Sequence, residues 1–242
     1  MEVVMNKVNT AETGTVKSER VRLEDLSVSS EDKELISEYH LNISINGCLV
    51  SKVICTPSHL PELVVGRILT ETGIKPDSID SIRITEQQNT AEVTMVSEAA
   101  LNPDLEIIPE HNISLPEIKA MAIAINERLS EDAKLHKATQ SSHSCFLLKD
   151  GRIVFEAEDI GRHNAVDKAV GYIYMNDIDP MTTALFTTGR MPVDMVRKVI
   201  RASVPVFISK KQPTTDGVEL AKEYGLTMIG NLRDDRLNIY NQ

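Results

Sequence analysis

The rhythm of apolar and polar positions changes near residue 135. Beyond that point, short apolar runs are separated by amphipathic stretches. HSCFLLKDGRIVFEAED predicts a hairpin turned at Asp150-Gly151, because Asp-Gly supplies the positive φ angles of a type I′ turn. A helix over about 163–174, a strand at TALFTT, a helix over about 192–202, a strand at VPVFIS, a helix over about 214–224 and a strand at LTMIGNL follow. Such alternation indicates βαβ units and a largely parallel sheet covered on both faces.

The N-terminal half reads differently. Residues 1 to about 34 are polar and charged without periodicity, which predicts a loose arm or an edge strand. YHLNISINGCLVSKVICTP predicts two strands joined at Asn46-Gly47. SHLPELVVGRILTETG predicts a helix with Ser58 as N-cap, an apolar stripe through Leu60, Leu63, Val64, Ile68 and Leu69, and Gly73 at its C-terminal stop. SIDSIRITEQQNTAEVTMVS predicts a second strand pair turning at Gln87 to Thr90, and SLPEIKAMAIAINERLS a helix opened by a Ser114–Glu117 capping box. The expected architecture is α/β: a polar arm over 1–34, a β-rich and helical part over 35–134 and an α/β part over 135–242, together one domain with an N-terminal β-rich extension.

In open α/β sheets, ligands bind beyond the carboxyl ends of the strands, where helix N-termini present free N–H groups. Three polar loops follow the three predicted parallel strands: Thr187 to Pro192, Ser209 to Thr215 and Asn231 to Arg236. Arg190, Lys210, Arg233 and Arg236 could pair with phosphates, and Thr188, Gly189, Ser209 and Thr214 offer donors beside them. Polar loops also occur at ordinary strand-helix junctions, so spacing alone identifies no ligand.

The stretch EDIGRHNAVDKAVG, Glu158 to Gly171, adds to the same edge. Arg162 and His163 project from a turn opened by Gly161, and Asp167, one helical turn beyond His163, is placed to orient its imidazole. The alternative is a carboxylate-capped helix with Asp167 on a solvated face. His143 and Cys145 lie two positions apart, so on an extended strand they share a face. They form a candidate Cys–His pair, with Cys145 the one candidate nucleophile.

Composition narrows the function classes. The chain has 242 residues, 41% hydrophobic, with no Trp, and a formal net charge of −10. That charge argues against bulk nucleic-acid or anionic-membrane binding while allowing a local basic patch. Neither a signal-peptide core nor a membrane-spanning run is present, and the expected location is cytoplasmic. Cys48, Cys55 and Cys145 are too scattered for a disulfide framework or a metal site.

The residues resemble a known family. EDIGRHNAVDKAVG is similar to the ED-[VI]-GRHNA-[VL]-DK signature of the FdhD/NarQ formate dehydrogenase accessory proteins. CTPSHLPELVVGRILTETGI, SSHSCFLLKDGRIV, TTGRMPVDMVRKVI and LTMIGNLRDDRLNIY resemble further segments of that family, in the same order. The resemblance implies a three-layer fold like that of the cytidine deaminases, a homodimer, and a role in maturing formate dehydrogenase. It implies sulfur passed from a cysteine desulfurase to a bis(molybdopterin guanine dinucleotide) molybdenum cofactor, held through its GDP-like ends without zinc. Asn231, Leu232, Arg233, Asp234, Asp235 and Arg236 match the family's cofactor-contacting C-terminal motif, with His143, Arg162, His163 and Arg190 as companions.

Two departures matter. Sulfur-carrying members hold C-G-x-C-G between the second strand pair and the next helix, where this chain reads NPDLEIIPEHNISLPEIK without cysteine. Asn231 stands where the family prefers Phe. Two readings follow: a sulfurtransferase that uses Cys145 instead, or a cofactor-binding chaperone that carries no sulfur. A deaminase is excluded, because the chain has neither the H-x-E nor the P-C-x-x-C that bind and serve the zinc.

Overall fold

A computed structural model describes residues 1–6, 10–85, 88–96, 104–130, 135, 139 and 141–241. Gln87 of the expected turn, Asn102 and Pro103 of the cysteine-free loop, and His136 lie outside the described residues.

Two sheets are separated by helices. The first has five strands in the order β1-β6-β7-β4-β5: β1 (Glu2–Asn6), β4 (Tyr39–Ile45), β5 (Cys48–Cys55), β6 (Ile79–Thr85) and β7 (Thr90–Met95). The arm is therefore not loose at its start, because β1 forms the sheet's edge, parallel to β6. The next stretch, β2 (Thr13–Val21) and β3 (Val28–Ile36), pairs only with itself as an antiparallel hairpin. Asn46 and Gly47 both take positive φ, 48° and 79°, and close β4 onto β5 as the Asn-Gly signal requires. Helix α1 (Leu60–Thr72) lays Leu60, Leu63, Val64 and Ile68 on this sheet, against Leu41, Ile43, Ile82 and Ile84. Its N-cap is His59, at a left-handed φ of 52°, rather than Ser58, and Gly73 ends it at φ 74°.

The second sheet has the order β13-β12-β11-β10-β8-β9. Strands β10 (Thr183–Thr187), β11 (Val206–Ser209) and β12 (Thr227–Gly230) are parallel, as expected. The flanking strands β8 (His143–Lys149), β9 (Arg152–Asp159) and β13 (Asn238–Asn241) pair antiparallel, so the sheet is mixed rather than largely parallel.

Both faces are buried, and side chains alternate between them. Cys145, Leu147, Leu185, Phe207 and Met228 point to α3 (Arg162–Met175), α4 (Val193–Arg201) and α5 (Thr215–Glu223). Phe146, Leu148, Phe186, Ile208 and Ile229 meet Ile118, Met121 and Ile125 of α2 (Leu115–Ser130) on the other face. The Ser114–Glu117 capping box forms at the start of α2.

Helices α1 and α3 cross at two glycines. A β-carbon on Gly66 would collide with the Asp167 carbonyl, and one on Gly171 with that of Glu62. Only glycine lets these backbones approach so closely. This contact joins the N-terminal sheet to the layer of helices over the second sheet. No helix among the described residues is long and apolar enough to cross a membrane.

Candidate functional site

The signature stretch divides into an inner and an outer half. Its inner half is a buried ionic lock. Asp159 and Lys168, both fully buried, pair at 2.7 Å. Asp159 also accepts from the main chain of Thr56 and Gly161, from the Thr56 hydroxyl and from Asn164 Nδ2, at 2.7 to 3.1 Å. Lys168 donates to the Thr56 hydroxyl at 2.7 Å. A buried pair is tolerable only when its remaining hydrogen-bonding capacity is met, as it is here.

Asp167 forms a second lock. It does not orient His163. Its carboxylate, also fully buried, accepts from Thr70 at 2.7 Å and from Lys198 at 3.0 and 3.2 Å, and lies 2.9 Å from Arg67 Nε. Arg67 continues to Asn164 at 2.6 Å, so the two locks share one framework across α1, α3 and α4. Lys198 also pairs with Glu71. Burial alone would raise the Glu71 carboxyl pKa, but Lys198 and Arg67 outweigh it and hold it below its ordinary value. The sequence offered Asp167 a partner four residues away. The actual partners lie 31 and about 100 residues away, a distance that periodicity does not reach.

The outer half, Arg162 and His163, lies at the carboxyl edge of the second sheet. The aliphatic part of Arg162 lies over Gly189, where an added β-carbon would come within 3.0 Å of Arg162 Cδ. Its Nε is buried without a hydrogen bond among the described residues. His163 Nε2 meets Asp194 at 2.7 Å. Burial would raise Asp194, but the hydrogen bond and charge of His163 outweigh it and lower its pKa. Asp194, at the start of α4, is a member of this edge that sequence reading missed. Helix α3 begins at Gly161 with no side-chain cap, whereas Thr214 caps α5 by accepting from Gly217 N.

The three loops do gather at this edge, since β10, β11 and β12 run in one direction. Several predicted donors there are already committed within the protein. Ser209, fully buried, donates to the Gly189 carbonyl at 2.6 Å. Thr188 exchanges bonds with the Ser144 main chain, and Gly189 N donates to Thr187. Asn231 takes a left-handed φ of 54° and its N–H donates to the Lys211 carbonyl. These residues shape the loops, and the four predicted cations Arg190, Lys210, Arg233 and Arg236 are all exposed.

Two cavities open nearby. One, of about 520 Å³, is lined by Lys210, Leu232, Arg233, Asp234, Asp235 and Arg236 together with Asn126, Leu129 and Ser130 of α2. The other, of about 510 Å³, has Glu12, Glu34, Glu156 and Glu158 in its wall beside His59 and Arg128. The first suits an anionic ligand better, because its cations face fewer carboxylates. The contribution of α2 to this cavity carried no sequence signal.

His143 begins β8, partly buried, and Cys145 follows on the same face but fully enclosed in the core. Burial, followed by the charge of Asp167, pushes the Cys145 thiol far above its ordinary value. Cys55 is also buried and pushed up to about 12, chiefly by burial, and Cys48 is exposed. No group of three or more metal-ligating side chains occurs among the described residues.

Comparison with known proteins places this arrangement. The FdhD/NarQ family model matches residues 104–242, more than half of the chain. "Protein FdhD" of Methanocaldococcus jannaschii is 35% identical over 218 residues, covering 87% of this chain and 88% of that one. "Sulfur carrier protein FdhD" of Staphylococcus haemolyticus is 28% identical over 245 residues, covering 91% and 92%. A crystal structure of a formate dehydrogenase accessory protein from Desulfotalea psychrophila superposes with a TM-score of 0.83 at 28% identity, covering 96% of this chain and 98% of that one. Fold and sequence thus define a mixed α/β protein with the fold of that structure. The chain belongs to the FdhD/NarQ family.

Proposed function

We propose that this chain is a formate dehydrogenase accessory protein that holds the molybdenum cofactor by its guanine-nucleotide ends and presents it to the enzyme without relaying sulfur through Cys145. The observation that carries the reading is the cationic cavity at the carboxyl edge, built from Leu232 to Arg236 of the C-terminal motif and from Lys210. Arg162 and His163, held at the same edge by the locks behind them, are its companions. The α2, sheet and α3–α5 layers are compatible with a cytidine deaminase-like arrangement. Cytoplasmic action, a homodimer, and a desulfurase and formate dehydrogenase as partners belong to the same proposal.

The name of the Staphylococcus haemolyticus relative favours a second reading, in which sulfur is relayed. A persulfide relay needs an accessible thiolate. Cys145 is fully buried with its pKa raised, and its strand position gives it the role of a small apolar side chain. Calorimetric titration with GDP tests the first reading: the wild type binds, and Arg162→Ala with His163→Ala binds on the order of tenfold more weakly, the worth of charge-assisted hydrogen bonds. Unchanged affinity in the double variant would reduce the signature stretch to a frame for α3.

A further inference from the structure

The cations of the carboxyl-edge cavity have different commitments. Arg233 donates through Nη1 to two main-chain carbonyls, of Lys210 at 2.7 Å and of Leu232 at 2.8 Å. Its own carbonyl accepts from Asn126 Nδ2 at 3.1 Å, and its N–H donates to the Arg236 carbonyl at 2.8 Å. Helix α2, the C-terminal loop and the loop after β11 are thereby tied in one line. Arg236 lies 3.2 Å from Asp235.

Lys210 is placed differently. Its main chain is gripped from both sides, with its N–H on the Thr187 carbonyl and its carbonyl on Arg233. Its side chain is exposed and lines the cavity, and its ammonium has no hydrogen bond or ion pair among the described residues. A fixed main chain beneath an uncommitted cation is what a point-charge phosphate contact requires. A guanidinium nitrogen with two hydrogens suits the bridging of two carbonyls.

We infer that Lys210 is the residue that contacts the phosphate of a nucleoside diphosphate, and that Asn126 and Arg233 are positioning residues that act through it. The inference rests on the nucleotide-binding reading and assigns the roles within that site. Arg233 thus works by holding the loop that carries Lys210, and its charge is not the phosphate partner. The effects of Arg233 and Lys210 on the ligand are therefore coupled.

The test is a double-mutant cycle on the full chain, read by calorimetric titration with GDP at several salt concentrations beside thermal melts. Lys210→Ala weakens GDP binding on the order of tenfold, the worth of one charge-assisted hydrogen bond, and flattens the salt dependence. Arg233→Lys keeps the charge yet weakens binding several-fold, and in the Lys210→Ala background it costs almost nothing more. Asn126→Ala reaches the same tie from α2 and repeats the pattern if Arg233→Lys does not fold. Losses that add, or a Lys210→Ala variant that binds like the wild type, would overturn the assignment while leaving the nucleotide site standing. A wild type that binds no GDP would bring down both.

Discussion

Two regions of this molecule are rich in charge and use it in opposite ways. In the lock, Asp159, Asp167, Lys168 and Lys198 are buried, and each meets an opposite charge within 3.0 Å. At the carboxyl edge, Arg190 and Lys210 are exposed and without an ion pair among the described residues. The signature stretch spans both regions. Its conspicuous Asp and Lys residues fix α3 against α1, β9 and α4, and only Arg162 and His163 reach the edge. Buried ion pairs often add little net stability over an apolar replacement, but losing one partner is costly. What the lock contributes is a fixed direction for the start of α3.

The contrast predicts large effects on stability inside and small ones at the edge. Lys168→Ala leaves the Asp159 carboxylate buried without its counter-charge, and denaturant titration should show a loss of about 3–5 kcal/mol. A loss under about 1 kcal/mol would mean that the pair is not what holds α3 in place. Gly66→Ala forces the α1–α3 crossing apart and should lose at least about 1–3 kcal/mol, with the same readout.

Glu71 is half-exposed, so its share is screened to no more than about 1 kcal/mol. Its folded pKa lies below its ordinary 4.5, because Lys198 and Arg67 outweigh burial. Its contribution is therefore fully present above pH 4.5 and lost as pH falls through the folded value. Melts of Glu71→Gln across this range should show a shallower acid decline than the wild type, and an unchanged decline would remove Glu71 from the balance. At the edge, Arg162→Ala with His163→Ala loses only the Gly189 packing and a half-exposed pair, and should cost about 1 kcal/mol, well below the lock variants, while weakening GDP binding. A large stability loss would erase the distinction between the two regions.

Much of the fold followed from local pattern. The helices from Arg162 to Met175, Val193 to Arg201 and Thr215 to Glu223 stand where their apolar stripes placed them. The Asn46-Gly47 and Asp150-Gly151 turns took the positive φ values their residues favour. What escaped the sequence was long-range. Pairing of β1 with β6 joins Glu2 to Ser81, and nothing local in EVVMN announces a distant parallel partner. The antiparallel placement of β8 beside β10 depends on how the chain returns rather than on which residues it contains. His59 replaced Ser58 at the start of α1, in a left-handed conformation that is uncommon for any residue but glycine.

The candidate site was foreseen at the level of the edge and less well residue by residue. The loops converge because parallel strands carry their ends to one side. Yet Ser209, Thr188 and Thr214, read as ligand donors, meet the needs of the main chain around them. Lys198 and Arg67, which bind Asp167, sit in segments that read only as amphipathic helix.

The most direct test of the central claim is intact mass after incubation with a cysteine desulfurase and cysteine, for the wild type beside Cys145→Ala, with GDP binding measured on the same samples. The prediction is that both proteins bind GDP and show the same change in mass on incubation, any reductant-reversible sulfur residing on the exposed Cys48. A gain of one sulfur in the wild type that disappears in Cys145→Ala would contradict it and make the buried cysteine a carrier.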